Sequence, residues 1–188
     1  NGGLFMPPEQ FRGRMELLRR EANVLPLGEA VDRLYRRDLP ERAVAVTFDD
    51  GWCDFHSLAV PILREFGVPA TVYLTTYYCD YNRPVFDPML SYLLWKGSGS
   101  LLSAFQPSPV RLDAAGRDSA YRAIRDHVIE NELSGPEKDR LLAEVAAALG
   151  IDFEAMLRER FLHLMNPAEV AEVAAAGIDV QLHTHRHR

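Results

Sequence analysis

Two short stretches hold the residue types from which hydrolytic chemistry is built. Thr47-Phe48-Asp49-Asp50-Gly51-Trp52 sets two adjacent carboxylates against a glycine. His183-Thr184-His185-Arg186-His187 sets imidazoles at alternate positions toward the other end of the chain. One carboxylate and two imidazoles hold a divalent ion and leave a coordination position open, which suits zinc, and also iron, cobalt, nickel or manganese. The spare carboxylate is then left for acid–base work. His183 and His187 stand at i and i+4, within reach of one ion on a helix or where a strand end curls, while His185 between them points the other way. The plain alternative is that Asp49-Asp50-Gly51 is a surface turn and the histidines a solvated cluster.

In an extended strand, successive side chains face opposite ways, so Asp49 and Asp50 serve one site only where a strand ends. Gly51 permits the dihedrals that let them converge there. Two carboxylates so close repel, and a cation keeps both ionised. The neighbouring elements supply such a strand end. Residues 43–48 are continuously apolar and rich in β-branched side chains, the pattern of a strand covered on both faces. Residues 57–66 read as a helix with Leu58, Ile62, Leu63 and Phe66 inside, stopped by Gly67. Residues 70–75 are a second buried strand, so the order strand, helix, strand makes a βαβ unit with parallel pairing. Asn166-Pro167-Ala168-Glu169 opens a capped helix that ends at Gly177, and 178–182 form a third strand leading into the histidines. Both stretches thus fall at the carboxyl edge, where parallel α/β folds gather their ligands.

The rest reads as scaffold. Pro8 starts a helix whose apolar stripe is Phe11, Met15, Leu18 and Ala22; a second short helix after Gly28 turns Val31, Leu34 and Tyr35 inward. Between Cys79 and Met165 no strand signal is visible. A short buried helix over 92–95, an amphipathic helix over 117–133 and a capping box at Ser134–Glu137 opening a helix to Gly150 fill that block. The expectation is one domain over 1–188 with a helical insertion at 80–165.

Composition narrows the class. A length of 188 residues suffices for one domain with a real core, 47% hydrophobic and 26% charged residues are globular values, and no low-complexity tract occurs. A formal charge of −6 argues against nucleic acid. No apolar run is long enough to span a bilayer and no signal peptide is visible. Cys53 and Cys79 fit either two free thiols, which is favoured, or one bridge.

With these residues assembled, a family resemblance emerges. Thr-Phe-Asp-Asp-Gly-Trp followed by His-Thr-x-x-His resembles the first two motifs of the polysaccharide deacetylases (carbohydrate esterase family four, the nodulation-protein-B homology domain). The Pro-x-x-Phe helix, Leu-Pro-Leu-x-Glu-Ala at 25–30 and Gly67-Val68-Pro69-Ala70-Thr71 resemble its lead-in. The resemblance implies a distorted (β/α) barrel of parallel strands and metal-dependent removal of acetyl groups from an N-acetylated amino-sugar glycan. It assigns Asp50, His183 and His187 as metal ligands, Asp49 as general base, and Thr184 as the brace of the histidine loop. A cell-envelope or secreted location suits such a substrate better than the cytoplasm.

The chain also departs from the family. The later motifs, with an oxyanion-donating Arg-Pro stretch, an Asp near a Trp and a Leu-x-x-His general acid, have no counterpart before Arg188, and the upstream Tyr-His strand is missing. Trp52 stands for the usual Tyr and Arg188 for the usual Pro. Three strands cannot close a barrel that needs roughly 200–250 residues, so the expectation is an incomplete barrel whose open strand edges favour self-association. Two other readings stand beside the deacetylase. One is a non-catalytic glycan- or metal-binding remnant of the family. The other is an iron oxygenase with a two-His, one-carboxylate triad, a site that favours antiparallel jelly rolls. His56 is read as a helix-start residue, His127 and His163 as structural. Tyr77, Tyr78, Tyr81 and Trp95 are candidates for stacking on sugar rings.

Overall fold

A computed structural model describes residues 6–101 and 109–185. The chain divides into two compact units: Asn1–Asn82 with Leu164–Arg188, and Arg83–His163.

The first unit begins with α1 (Pro8–Glu21), where proline occupies the first turn and costs no hydrogen bond. Met15 is buried on its inner face at 4% exposure. β1 (Asn23–Val24) follows, then α2 (Leu27–Arg36), closed by Arg37 in the left-handed region. The apolar face of α2 does not turn inward: Val31, Leu34 and Tyr35 are 40%, 60% and 84% exposed. Helical periodicity identifies an apolar face but not whether another element lies against it.

The run at 43–48 is not one strand but two. β2 (Ala43–Val44) pairs in parallel with β1, and β3 (Val46–Phe48) pairs in parallel with β4 (Ala70–Leu74). Its residues are half-buried, and Thr47 exposed, rather than covered on both faces, since among the described residues each half pairs on one side only. After the acidic turn, a π-helical turn (Phe55–Ala59) runs into α3 (Val60–Phe66). The wider turn shifts the side-chain phase, which buries Phe55 and leaves Leu58 49% exposed instead of inside. Gly67, at φ +60°, ends α3 with its N–H and that of Val68 on the carbonyls of Arg64 and Leu63. β4 is the buried centre, with Val72 at 0% exposure, and leads straight into α4 (Thr76–Tyr81), a helix the sequence pattern did not signal.

The second unit is mainly helical. α5 (Phe86–Lys96) is longer than the short helix expected, with Leu93 and Leu94 buried and Trp95 66% exposed. β5 (Ser100–Leu101) and β6 (Val110–Arg111) form a two-residue antiparallel pair that the sequence reading missed. α6 (Ala114–Glu130) buries Ala120, Ile124 and Val128 but leaves Ile129 61% exposed. α7 (Gly135–Ala148) starts from the expected Ser134–Glu137 capping box, and α8 (Phe153–Arg158) completes the set. Met89, Leu90, Leu93, Ile124 and Leu142, each at 0% exposure, form the middle of this unit's core.

The chain then returns to the first unit. α9 (Pro167–Ala175) opens on a capping box: Asn166 Oδ1 accepts from the Glu169 N–H at 3.0 Å, and the Glu169 carboxylate accepts from the Asn166 N–H at 2.9 Å. β7 (Asp179–Leu182) pairs in parallel with β4, in register Thr71 with Asp179 and Leu74 with Leu182. The sheet order is β3-β4-β7, all parallel, so this is a mixed α/β fold with parallel strands. Among the described residues the strands form no closed barrel. Cys53 and Cys79 are not joined in a disulfide. No helix among the described residues is long and apolar enough to cross a membrane.

Candidate metal and catalytic site

Parallel order sends the carboxyl ends of β3, β4 and β7 to one edge, and the two stretches singled out in the sequence lie there. β3 ends at Phe48, and the chain reverses through Asp49, Asp50 and Gly51. Asp50 takes φ +69° and Gly51 φ +79°, two successive left-handed residues. Glycine adopts that region freely, whereas for aspartate it is uncommon and marks a backbone held by its surroundings. The holding contacts are explicit. The Gly51 N–H donates to the Asp49 carbonyl at 2.9 Å, the Thr75 N–H to the Asp50 carbonyl at 3.1 Å, and the Met165 N–H to the Gly51 carbonyl at 2.8 Å. A Cβ at position 51 would overlap the Leu74 side chain.

The histidine stretch follows β7. The His183 N–H donates to the Leu74 carbonyl at 2.9 Å, and the N–H groups of Thr76 and Tyr77 donate to the carbonyls of Thr184 and His185 at 3.3 and 2.9 Å. This places Nε2 of His183 3.8 Å from Oδ1 of Asp50, with the two side chains 37% and 18% exposed. That distance exceeds a hydrogen bond. Two atoms each about 2.1 Å from a common ion lie at most about 4.2 Å apart, so the pair is spaced for joint coordination.

One further feature fits an ion. The Thr75 hydroxyl, fully buried next to the acidic turn, has no hydrogen-bond partner among the described residues, a cost of roughly 1–3 kcal/mol unless a bound group meets it. His187, the third ligand expected, lies outside the described residues, as does Arg188. Among the described residues no group of three or more potential ligands gathers.

Asp49 is exposed at the entry to the turn. Nδ1 of His185 stands 3.0 Å from the Thr76 hydroxyl, and its ring meets Tyr77 edge-on at 5.8 Å. Tyr77 also stacks on Tyr81 at 5.4 Å and meets Tyr78 edge-on at 5.1 Å, an aromatic group that begins where β4 ends. Trp95 belongs to the other unit. His56 pairs with Glu172 on α9 at 2.9 Å, across an open groove of about 530 Å³ that none of the expected site residues lines. His127 contacts Asn131 within its own helix turn, and His163 is buried at 3% exposure with Nδ1 3.0 Å from the Phe161 carbonyl. The sequence reading did not single out Leu74, Thr75 and Thr76, whose contribution runs through backbone groups and one hydroxyl and leaves no motif.

A parallel sheet with an Asp-Asp-Gly turn and a histidine loop at one edge places both stretches where open α/β sheets gather their ligands. Residues 36–108, which include the acidic turn but not the histidines, match the family model described as polysaccharide deacetylase. No curated protein matches the chain. Among solved structures it is similar to the Streptococcus pyogenes deacetylase PplD in complex with acetate, at 28% identity and TM-score 0.40, covering 42% of this chain and 36% of that one. It is also similar to the BpsB deacetylase domain from Bordetella bronchiseptica, at 18% identity and TM-score 0.41, covering 92% and 42%. A third is IcaB from Ammonifex degensii, at 19% identity and TM-score 0.39, covering 92% and 74%. The chain spans 36% and 42% of the length of the first two.

Proposed function

We propose that this chain carries the metal-binding and basic residues of a deacetylase acting on N-acetylated amino-sugar glycans. The observation that carries the reading is the approach of His183 to Asp50 at the common carboxyl edge, within a turn that matches the family. Asp50, His183 and His187 would hold the divalent ion, zinc by preference. The ion would supply Lewis-acid polarisation of the amide carbonyl and a lowered pKa for water. Asp49 takes the proton from water as it attacks the acetyl carbon, the C–N bond breaks as a proton passes to the leaving nitrogen, and acetate and a free amine result. Thr184 braces the histidine loop, and the three parallel strands are part of a distorted (β/α) barrel. Parallel pairing favours this reading over an iron oxygenase, whose triad suits antiparallel sheets.

The experiment is acetate release from chitin oligomers, poly-N-acetylglucosamine or peptidoglycan by the protein that carries this chain. Asp49→Asn should lower release by roughly 10²–10⁴-fold, the usual worth of a positioned base, while zinc binding persists. Release that survives both Asp49→Asn and chelation overturns the mechanism. Glycan affinity with no turnover makes the protein a binding remnant instead.

A further inference from the structure

The proposed ligands come from two stretches more than a hundred residues apart, so something must set their spacing. The four residues 74–77 touch both. The Leu74 carbonyl accepts from His183, the Thr75 N–H donates to Asp50, and the N–H groups of Thr76 and Tyr77 donate to Thr184 and His185. All four of these contacts are main-chain bonds that any sequence would make. A fifth contact is side-chain chemistry: the Thr76 hydroxyl lies 3.0 Å from Nδ1 of His185, and the Tyr77 ring meets that imidazole edge-on with centroids 5.8 Å apart. His185 is therefore tied to the first two residues of α4 by one hydrogen bond and one aromatic contact.

We propose that Thr76 is a positioning residue: through His185, it fixes the histidine loop in register with Asp50 and so sets the affinity of the site for a divalent ion. The inference rests on the metal-site reading above. With its main chain on Leu74 and the ring of His185 tied two residues further on, His183 has little freedom to leave its place 3.8 Å from Asp50. Without the hydroxyl, the loop keeps only its main-chain bonds and the imidazole of His185 is free to change rotamer. Outer partners that orient ligands in this way change metal affinity by roughly 10–100-fold. Thr76 acts at one remove, which places it near the tenfold end.

The test is calorimetric zinc titration of the 188-residue chain and its variants. Thr76→Val keeps the shape and removes the hydroxyl, and should weaken binding about tenfold; Thr76→Ser keeps the hydroxyl and should stay within about twofold of the parent. His185→Phe keeps the ring against Tyr77 and removes the nitrogen, and should match Thr76→Val. The double variant should be no weaker than either single one, because both changes break the same bond. Faster hydrogen exchange of the Tyr77 and His183 amides in metal-free Thr76→Val provides a readout independent of zinc. Unchanged affinity in Thr76→Val, or additive losses in the double variant, overturns the inference and leaves the site standing. Asp50→Ala and His183→Ala that bind as tightly as the parent overturn the site itself, and this inference with it.

Discussion

Replacing Gly51 with alanine measures how closely the acidic turn is fitted to the sheet. Gly51 holds φ at +79°, where a residue with a Cβ loses roughly 1–2 kcal/mol. The added carbon would also overlap the Leu74 side chain and stand 3.3 Å from Cε of Met165. Those neighbours are buried, at 5% and 0% exposure, and cannot swing into solvent. Overpacking of this kind costs roughly 1–3 kcal/mol, so the whole change should cost about 2–5 kcal/mol, a large share of a domain's stability. Gly177 is the control: its φ is +86°, yet a Cβ there meets nothing within 4 Å. Gly177→Ala should therefore lose only the backbone part, roughly 1–2 kcal/mol. Urea titrations read the difference as a shift in midpoint at constant slope. Since the Leu74 carbonyl anchors His183, Gly51→Ala should weaken zinc binding as well, and Gly177→Ala should not. Equal losses of stability at the two positions would refute the steric half of this reasoning.

Two other outcomes follow from named contacts. Asn166→Ala removes the cap of α9 and should cost about 0.5–2 kcal/mol, read by urea titration; no loss would mean that Glu169 alone suffices at that helix start. His163 titrates below its ordinary range near 6.5, chiefly because burial disfavours the imidazolium, with the charges of Arg160 and Arg83 pushing the same way and the Phe161 carbonyl opposing. Above pH 6.5 both folded and unfolded states carry it neutral. Below that pH the unfolded chain takes up a proton that the folded one refuses, so stability falls by up to about 1.4 kcal/mol per pH unit until the folded pKa is reached. His163→Gln should flatten this part of the pH–stability profile relative to the parent, and an identical slope in both proteins would count against it.

What the sequence made legible was whatever rests on local chemistry. Capping boxes at Ser134 and Asn166, the Gly67 and Gly177 stops, and the order β3, α3, β4, α9, β7 follow from side chains that contact their own neighbours in the chain. The failures share one cause: burial depends on partners far away in sequence. Val31, Leu34 and Tyr35 have helical spacing yet lie in the open, and 43–48 has the apolarity of a covered strand yet splits at Ala45 between two different partners. Leu58 was misplaced because a π-helical turn is invisible to a period of 3.6. In the site, Asp50 and His183 were legible from residue type, whereas the bonds through Leu74, Thr75 and Thr76 that bring them together use groups every residue possesses.

The two carboxylates of the turn occupy different surroundings, and this bears on which does what. Asp50, thrown into the left-handed region at φ +69°, has its side chain 18% exposed and facing His183. Under the proposed function, that inward position facing an imidazole is the position of a ligand. Asp49 remains exposed on the strand side of the turn, where solvent and substrate both have access and nothing competes for its lone pairs through burial. A base that strips a proton from attacking water needs that access. One backbone reversal, fixed by Gly51 and Thr75, thus separates adjacent and chemically identical side chains into one suited to hold an ion and one suited to move a proton. The separation would be lost in any variant that relaxed Asp50 into the extended region, because the two residues would then face opposite sides of β3.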